Sequence, residues 1–159
     1  MKRILAIAAV ALLAVAIVAL PHAWAGGRPF DTTLTGAAER PGPGDPDGFG
    51  TAHLELNQGQ GTVCWEISLS NVDPLPFGGH IHIAGPDDPG PIVLTLLGAP
   101  ANAEPTTTPD APTSYPASAC VENVDAGLIK DIRQSPDEYY VNLHNEPFPN
   151  GAVRGQLSK

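Results

Sequence analysis

Two histidines only two positions apart, His80 and His82, are the residues of this chain best placed to do chemistry. They lie in the stretch GHIHIA, whose alternating residues predict a β-strand with both imidazoles on one side. Residues at this spacing are about 6.5 to 7 Å apart along a strand, so both rings can reach one ion. A third imidazole, His144, ends the later stretch YYVNLH, and three imidazoles suit copper or zinc.

Four further residues extend this metal-site hypothesis. His53 alternates with apolar residues in its own predicted strand and is a candidate fourth ligand. Asp87, Asp88 and Glu146 follow the histidine-bearing stretches and are candidate hydrogen-bond acceptors for the ligands. The alternative is that the histidines are exposed or hydrogen-bonded structural residues on the solvent face, and the sequence leaves both interpretations open.

Arg154 lies in the predicted strand after His144. The residues themselves favour an ion pair with a carboxylate of a neighbouring strand, such as Glu55 or Glu66. No serine or cysteine occurs in a recognisable nucleophile motif, so the sequence predicts no catalytic residue.

The strand that carries His144 belongs to a predicted hairpin. The stretches YYVNLH and AVRGQL are joined by EPFPNG, in which proline and Asn-Gly favour a turn. If Val141 and Leu143 face the core, then Tyr140, Asn142 and His144 face the other side of the sheet.

Short apolar runs alternate with clusters of proline and glycine along the rest of the chain, which contains 18 and 17 of these residues. Such punctuation predicts many short strands joined by turns. We therefore predict an all-β fold, an antiparallel Greek-key β-sandwich or flattened barrel of about eight strands with one short helix at 125–135. The strands are predicted at 30–34, 51–57, 62–70, 80–84, 91–97, 115–121, 139–144 and 152–157.

Residues 1–25 predict a signal peptide, followed by one domain over 26–159. Lys2 and Arg3 precede an uninterrupted apolar run, and Ala23-Trp24-Ala25 is an A-x-A cleavage site. The alternative, an uncleaved anchor, is disfavoured because the run is marginally short for a bilayer. The sequence thus predicts a secreted, extracellular or periplasmic protein that meets a membrane only before cleavage.

The two cysteines and the charge fit that compartment. Cys64 and Cys120 predict one disulfide, and free thiols that serve a metal are the less favoured alternative because neither lies in a CxxC motif. Acidic residues outnumber basic ones 17 to 8, for a formal net charge of −9. Such a surface repels phosphate backbones, so nucleic acid is not an expected partner.

The motifs GHIHIAG, GPIV, YYVNLH and GAVRGQL, with the predicted helix between the second and the third, resemble the CHRD domain. This domain is named for chordin and also occurs in exported microbial proteins. The resemblance extends from about Phe30 to Leu157 and implies no particular activity. Chordin also carries cysteine-rich growth-factor-binding modules, which this sequence lacks, so no growth-factor ligand is implied.

A local pattern is similar to the copper half of copper/zinc superoxide dismutase. The resemblance implies copper ligands at His80, His82 and His144, and an anion-steering role for Arg154. The fourth histidine and the zinc loop of that family have no counterpart here, and the disulfide spacing differs.

These observations favour a non-enzymatic extracellular binding or structural module whose ligand the sequence does not name. The alternative is a copper- or zinc-binding protein, for which superoxide-directed redox chemistry is the only enzymatic candidate. The oligomeric state is left open.

Overall fold

The structure is a computed structural model, and it describes residues 26–98 and 112–159. The predicted signal peptide and residues 99–111 lie outside the described residues. The described elements are β1 (Arg28–Thr35), β2 (Phe49–Asn57), β3 (Thr62–Ser70), β4 (Gly78–Ile83), β5 (Ile92–Leu97), β6 (Ala117–Val121), α1 (Ala126–Gln134), β7 (Tyr139–His144) and β8 (Val153–Gln156).

All eight described strands belong to one antiparallel sheet, in the order β5-β4-β7-β8-β1-β2-β3-β6. The sheet curls into a nearly closed barrel, so the all-β prediction is confirmed in its flattened-barrel form. Three connections join strands that are not neighbours in this sheet: β3 to β4, β5 to β6, and β6 to β7. The indole Nε1 of Trp65 in β3 donates to the carbonyl oxygen of Leu96 in β5 at 3.0 Å, which ties the two halves of the sheet together.

The core lies inside the curled sheet and follows from the alternation of apolar residues. In β2 and β3 the buried side chains alternate with more exposed ones, and Leu54 pairs with Trp65 at the centre. The helix α1 covers the core with Ile129 and Ile132. Leu128 is half-buried beside them. Within the described ranges, no helix is long and apolar enough to cross a membrane.

The disulfide joins Cys64 and Cys120, as predicted. The two residues pair directly across β3 and β6, so the bond fastens the edge strand β6 to its neighbour.

The strands β4, β7 and β8 lie side by side and carry the predicted site. Val141 and Leu143 enter the core, which confirms the predicted facing of β7. On the opposite face, the strand register sets His80 against Asn142, and Asn142 against Arg154. The prediction of exposed histidines is wrong, because this face of the sheet is buried. The segments 84–90, 145–151 and 39–45 cover it through Gly90, Pro149 and Glu39.

Candidate metal centre

The three histidines of the predicted site converge on the covered face of β4 and β7. His144 pairs with Gly78 in the register, so it lies diagonally beside His80. The ring centroids are 4.9 Å apart for His80 and His144, 5.6 Å for His80 and His82, and 6.3 Å for His82 and His144. One ring nitrogen from each residue lies within 4.8 Å of the others. Each histidine is at most 8% exposed.

The His82 ring is fixed from two sides. Its Nδ1 donates a hydrogen bond to the carbonyl oxygen of Gly90 at 2.7 Å. The ring stacks on Tyr140, with centroids 4.8 Å apart and planes at 11°. Because Nδ1 carries the proton, Nε2 presents its lone pair. That Nε2 atom is buried and has no hydrogen-bond partner among the described residues.

His144 is oriented by the turn that follows β7. The Asn145 side chain accepts from the backbone N–H of Phe148 at 3.1 Å and donates to the carbonyl oxygen of Pro74 at 3.0 Å. This turn brings the carbonyl oxygen of Pro149 to 3.1 Å from Nδ1 of His144, which donates to it. Nε2 of His144 is therefore the unprotonated nitrogen, and Nδ1 of His80 lies 3.0 Å from it as a donor.

Burial keeps the three imidazoles neutral. Desolvation, followed by the nearby His144 and His82, lowers the pKa of His80 to about 4. Desolvation is also the largest cause that lowers the pKa of His82 and the pKa of His144. Neutral imidazoles with anchored Nδ1–H groups are the form in which histidines bind metals.

Arg154 is almost completely buried beside this cluster, at 1% exposure. It donates to the carbonyl oxygens of Gly85 at 2.7 Å and of Asp88 at 3.0 Å, and its guanidinium lies 3.4 Å from the centre of the Tyr140 ring. The predicted ion pair with Glu55 or Glu66 is wrong, because those residues belong to β2 and β3 while Arg154 is directed at the segment 84–90. Its contacts hold that segment over the site.

The remaining sequence candidates lie elsewhere. His53 is on β2, separated from β7 in the sheet by β8 and β1, and its Nδ1 is 2.7 Å from Oδ1 of Asp31. Side chains of Asp87, Asp88 and Glu146 are exposed, and backbone carbonyl oxygens orient two histidines of the cluster in their place.

Sequence reasoning missed Glu39, which lies in the stretch ERPGPGDPDG and showed no pattern there. Glu39 is 2% exposed, and its Oε1 has no hydrogen-bond partner among the described residues. Burial raises the pKa of Glu39 to about 7, while Arg154 and a hydrogen bond from Asn142 act in the opposite direction. The buried Glu39 carboxylate also restricts position 151 to glycine, because a Cβ atom there would collide with it.

We expect the metal-free protein to lose stability as the pH falls from 6.5 to 4. The folded state binds fewer protons than the unfolded chain in this window, because the pKa of His80 is lowered to about 4. The loss from His80 alone is about 3 kcal/mol. Glu39 offsets part of it, since a raised carboxyl pKa favours the folded state on acidification.

Urea unfolding across this pH range tests the sign. His80→Gln should flatten the acid loss, and Glu39→Gln should steepen it. An unchanged pH slope in both variants would contradict the assignment.

These features define an all-β barrel domain with a buried, neutral histidine cluster on its covered outer face. The chain belongs to the CHRD domain family, whose model matches residues 30–157. Searches among curated proteins and among solved structures gave no match to this chain. The family supports a binding or structural module and names no ligand.

Proposed function

We propose that this domain is an exported, non-enzymatic binding module whose ligand is a copper or zinc ion held by His80, His82 and His144. The observation that carries the proposal is the buried Nε2 of His82, which has no hydrogen-bond partner among the described residues and faces two further imidazoles. A buried polar atom without a partner costs about 1 to 3 kcal/mol, and a bound ion removes that cost.

The spacing of the three nitrogens fits an ion after a small adjustment. Three nitrogens bonded to one ion at about 2.0 to 2.1 Å lie roughly 3.3 to 3.6 Å from one another. The nitrogens of the cluster lie within 4.8 Å of one another, so rotations that move atoms by less than about 1 Å are sufficient.

The surroundings support ligand histidines over purely structural ones. His82 and His144 each donate Nδ1–H to a backbone carbonyl oxygen, from Gly90 and Pro149. Ligand histidines commonly use their second nitrogen in this way, which fixes the tautomer and the ring orientation. Export is supported by the disulfide, since such bonds persist in oxidising compartments.

Calorimetric titration with Zn²⁺ and with Cu²⁺, after treatment with a chelator, tests the proposal. We expect the wild type to bind one ion per chain. His82→Ala should lower the affinity by about 100-fold or more, since it removes one of the three proposed ligands. The matched control is His53→Ala, which removes an imidazole outside the cluster and should bind like the wild type. Absence of binding to the wild type, or equal binding by His82→Ala, would overturn the site.

A further inference from the structure

An amide oxygen lies among the three imidazoles. Asn142 is opposite His80 in the strand register and is 2% exposed. Its Oδ1 is 3.1 Å from Nε2 of His144. The Asn142 side chain also raises the pKa of His82, against the larger effect of burial, which places the amide beside that ring as well.

The orientation of this amide is set by Glu39. The Asn142 side chain is hydrogen-bonded to the Glu39 side chain. A hydrogen bond that lowers the pKa of a carboxyl group is donated to its charged form, so the Nδ2 group of Asn142 faces Glu39 and Oδ1 faces the histidines. The Glu39 carboxylate is in turn held against Gly151, where a side chain would collide with it.

The Oδ1 atom is an acceptor placed beside another acceptor. Nε2 of His144 carries a lone pair, because its Nδ1–H is directed to Pro149, and that lone pair accepts the Nδ1–H of His80. Oδ1 of Asn142 lies 3.1 Å from the same Nε2 atom and has no proton to donate to it. A cation in the position of the His80 proton is attracted to both acceptors.

We propose that Oδ1 of Asn142 is the fourth donor of the metal site, and that Glu39 is the positioning residue that orients it. The inference rests on the proposed metal site and specifies its preference. Three nitrogens and one oxygen suit a divalent ion such as Zn²⁺, whereas Cu⁺ prefers softer ligands and gains little from an oxygen. Asn142 therefore favours the divalent ion.

The affinities of each variant for Zn²⁺ and for Cu⁺ test the fourth donor. Damage to the fold lowers both affinities, whereas loss of an oxygen ligand lowers the Zn²⁺ affinity alone. We expect Asn142→Leu to lower the affinity for Zn²⁺ by about tenfold or more, and to change the affinity for Cu⁺ by less than about threefold. Asn142→Asp keeps an oxygen in the same position and should retain the wild-type preference for Zn²⁺ over Cu⁺. If Asn142→Leu lowers the affinities for Zn²⁺ and Cu⁺ equally, Asn142 is not the fourth donor.

Variants of Glu39 test the positioning role. Glu39→Leu removes the acceptor that orients the amide, so it should lower the Zn²⁺ affinity as much as Asn142→Leu does. Glu39→Gln keeps a carbonyl oxygen and should restore the Zn²⁺ affinity. If Glu39→Gln loses as much Zn²⁺ affinity as Glu39→Leu, Glu39 does not orient the Asn142 amide.

The outcomes separate this inference from the proposed function. A wild type that binds neither Zn²⁺ nor Cu⁺ overturns the metal site and this inference together. A wild type that binds both, with an unchanged preference in Asn142→Leu, overturns the fourth donor alone.

Discussion

Replacing Arg154 with methionine is expected to destabilise the folded protein by about 3 to 5 kcal/mol, since it breaks a buried charge network. Methionine keeps much of the length of the arginine stem but has no N–H groups. The carbonyl oxygens of Gly85 and Asp88 lose their donors, and the buried Glu39 loses the nearby cation. The stacking of the guanidinium on Tyr140 is lost as well.

Urea unfolding near neutral pH measures the effect. The matched control is Arg133→Met, which removes a half-buried arginine whose side chain makes a 3.4 Å hydrogen bond to Gln58. We expect the control to cost less than about 1 kcal/mol. Hydrogen exchange should also accelerate in the segment 84–90 of the Arg154 variant. A cost for Arg154→Met no larger than that of the control would show that its contacts do not stabilise the fold.

Replacing both Cys64 and Cys120 with serine is the second large prediction, with an expected cost of about 4 kcal/mol. The bond closes a long loop whose ends are 56 positions apart in the sequence. The unfolded chain therefore gains much conformational entropy when the bond is removed. It also fastens β6, an edge strand that pairs with β3 alone in the described sheet. The melting temperature should fall by roughly 10 to 20 °C.

Metal titration of the same variant provides the control. The cysteine pair bridges β3 and β6, and β8, β1 and β2 separate β3 from β7, so Zn²⁺ affinity should stay within about threefold of the wild type at a temperature where both are folded. Cys64→Ser alone should cost as much stability as the double variant. A large loss of metal affinity would show that the disulfide also shapes the proposed metal site.

The elements could be predicted from sequence because they depend on local alternation. The strand predicted at 62–70 matches β3, and the stretch YYVNLH matches β7. The helix predicted at 125–135 spans 126–134, and the two extra residues, Asp125 and Ser135, are its caps. The same alternation placed His80, His82 and His144 on one side of the sheet before any tertiary information was available.

The environment of those residues could not be predicted from sequence, because it is formed by contacts between distant segments. The two carbonyl oxygens bound by Arg154 lie 69 and 66 residues away along the chain. Glu39 belongs to a loop without periodicity, and only the fold brings it to Asn142. A sequence pattern reports which side of a strand a residue occupies, but it does not report what covers that side.

The strand β7 is buried on both faces, by the core on one side and by the covering segments on the other. An ion held on the covered face therefore exchanges with bulk water only when one of those segments lifts away. The lifetime of the complex is set by that local opening and not by the strength of the coordinate bonds alone. In the proposed site, an ion would therefore be retained in dilute surroundings for longer than in a site of equal affinity on an open surface.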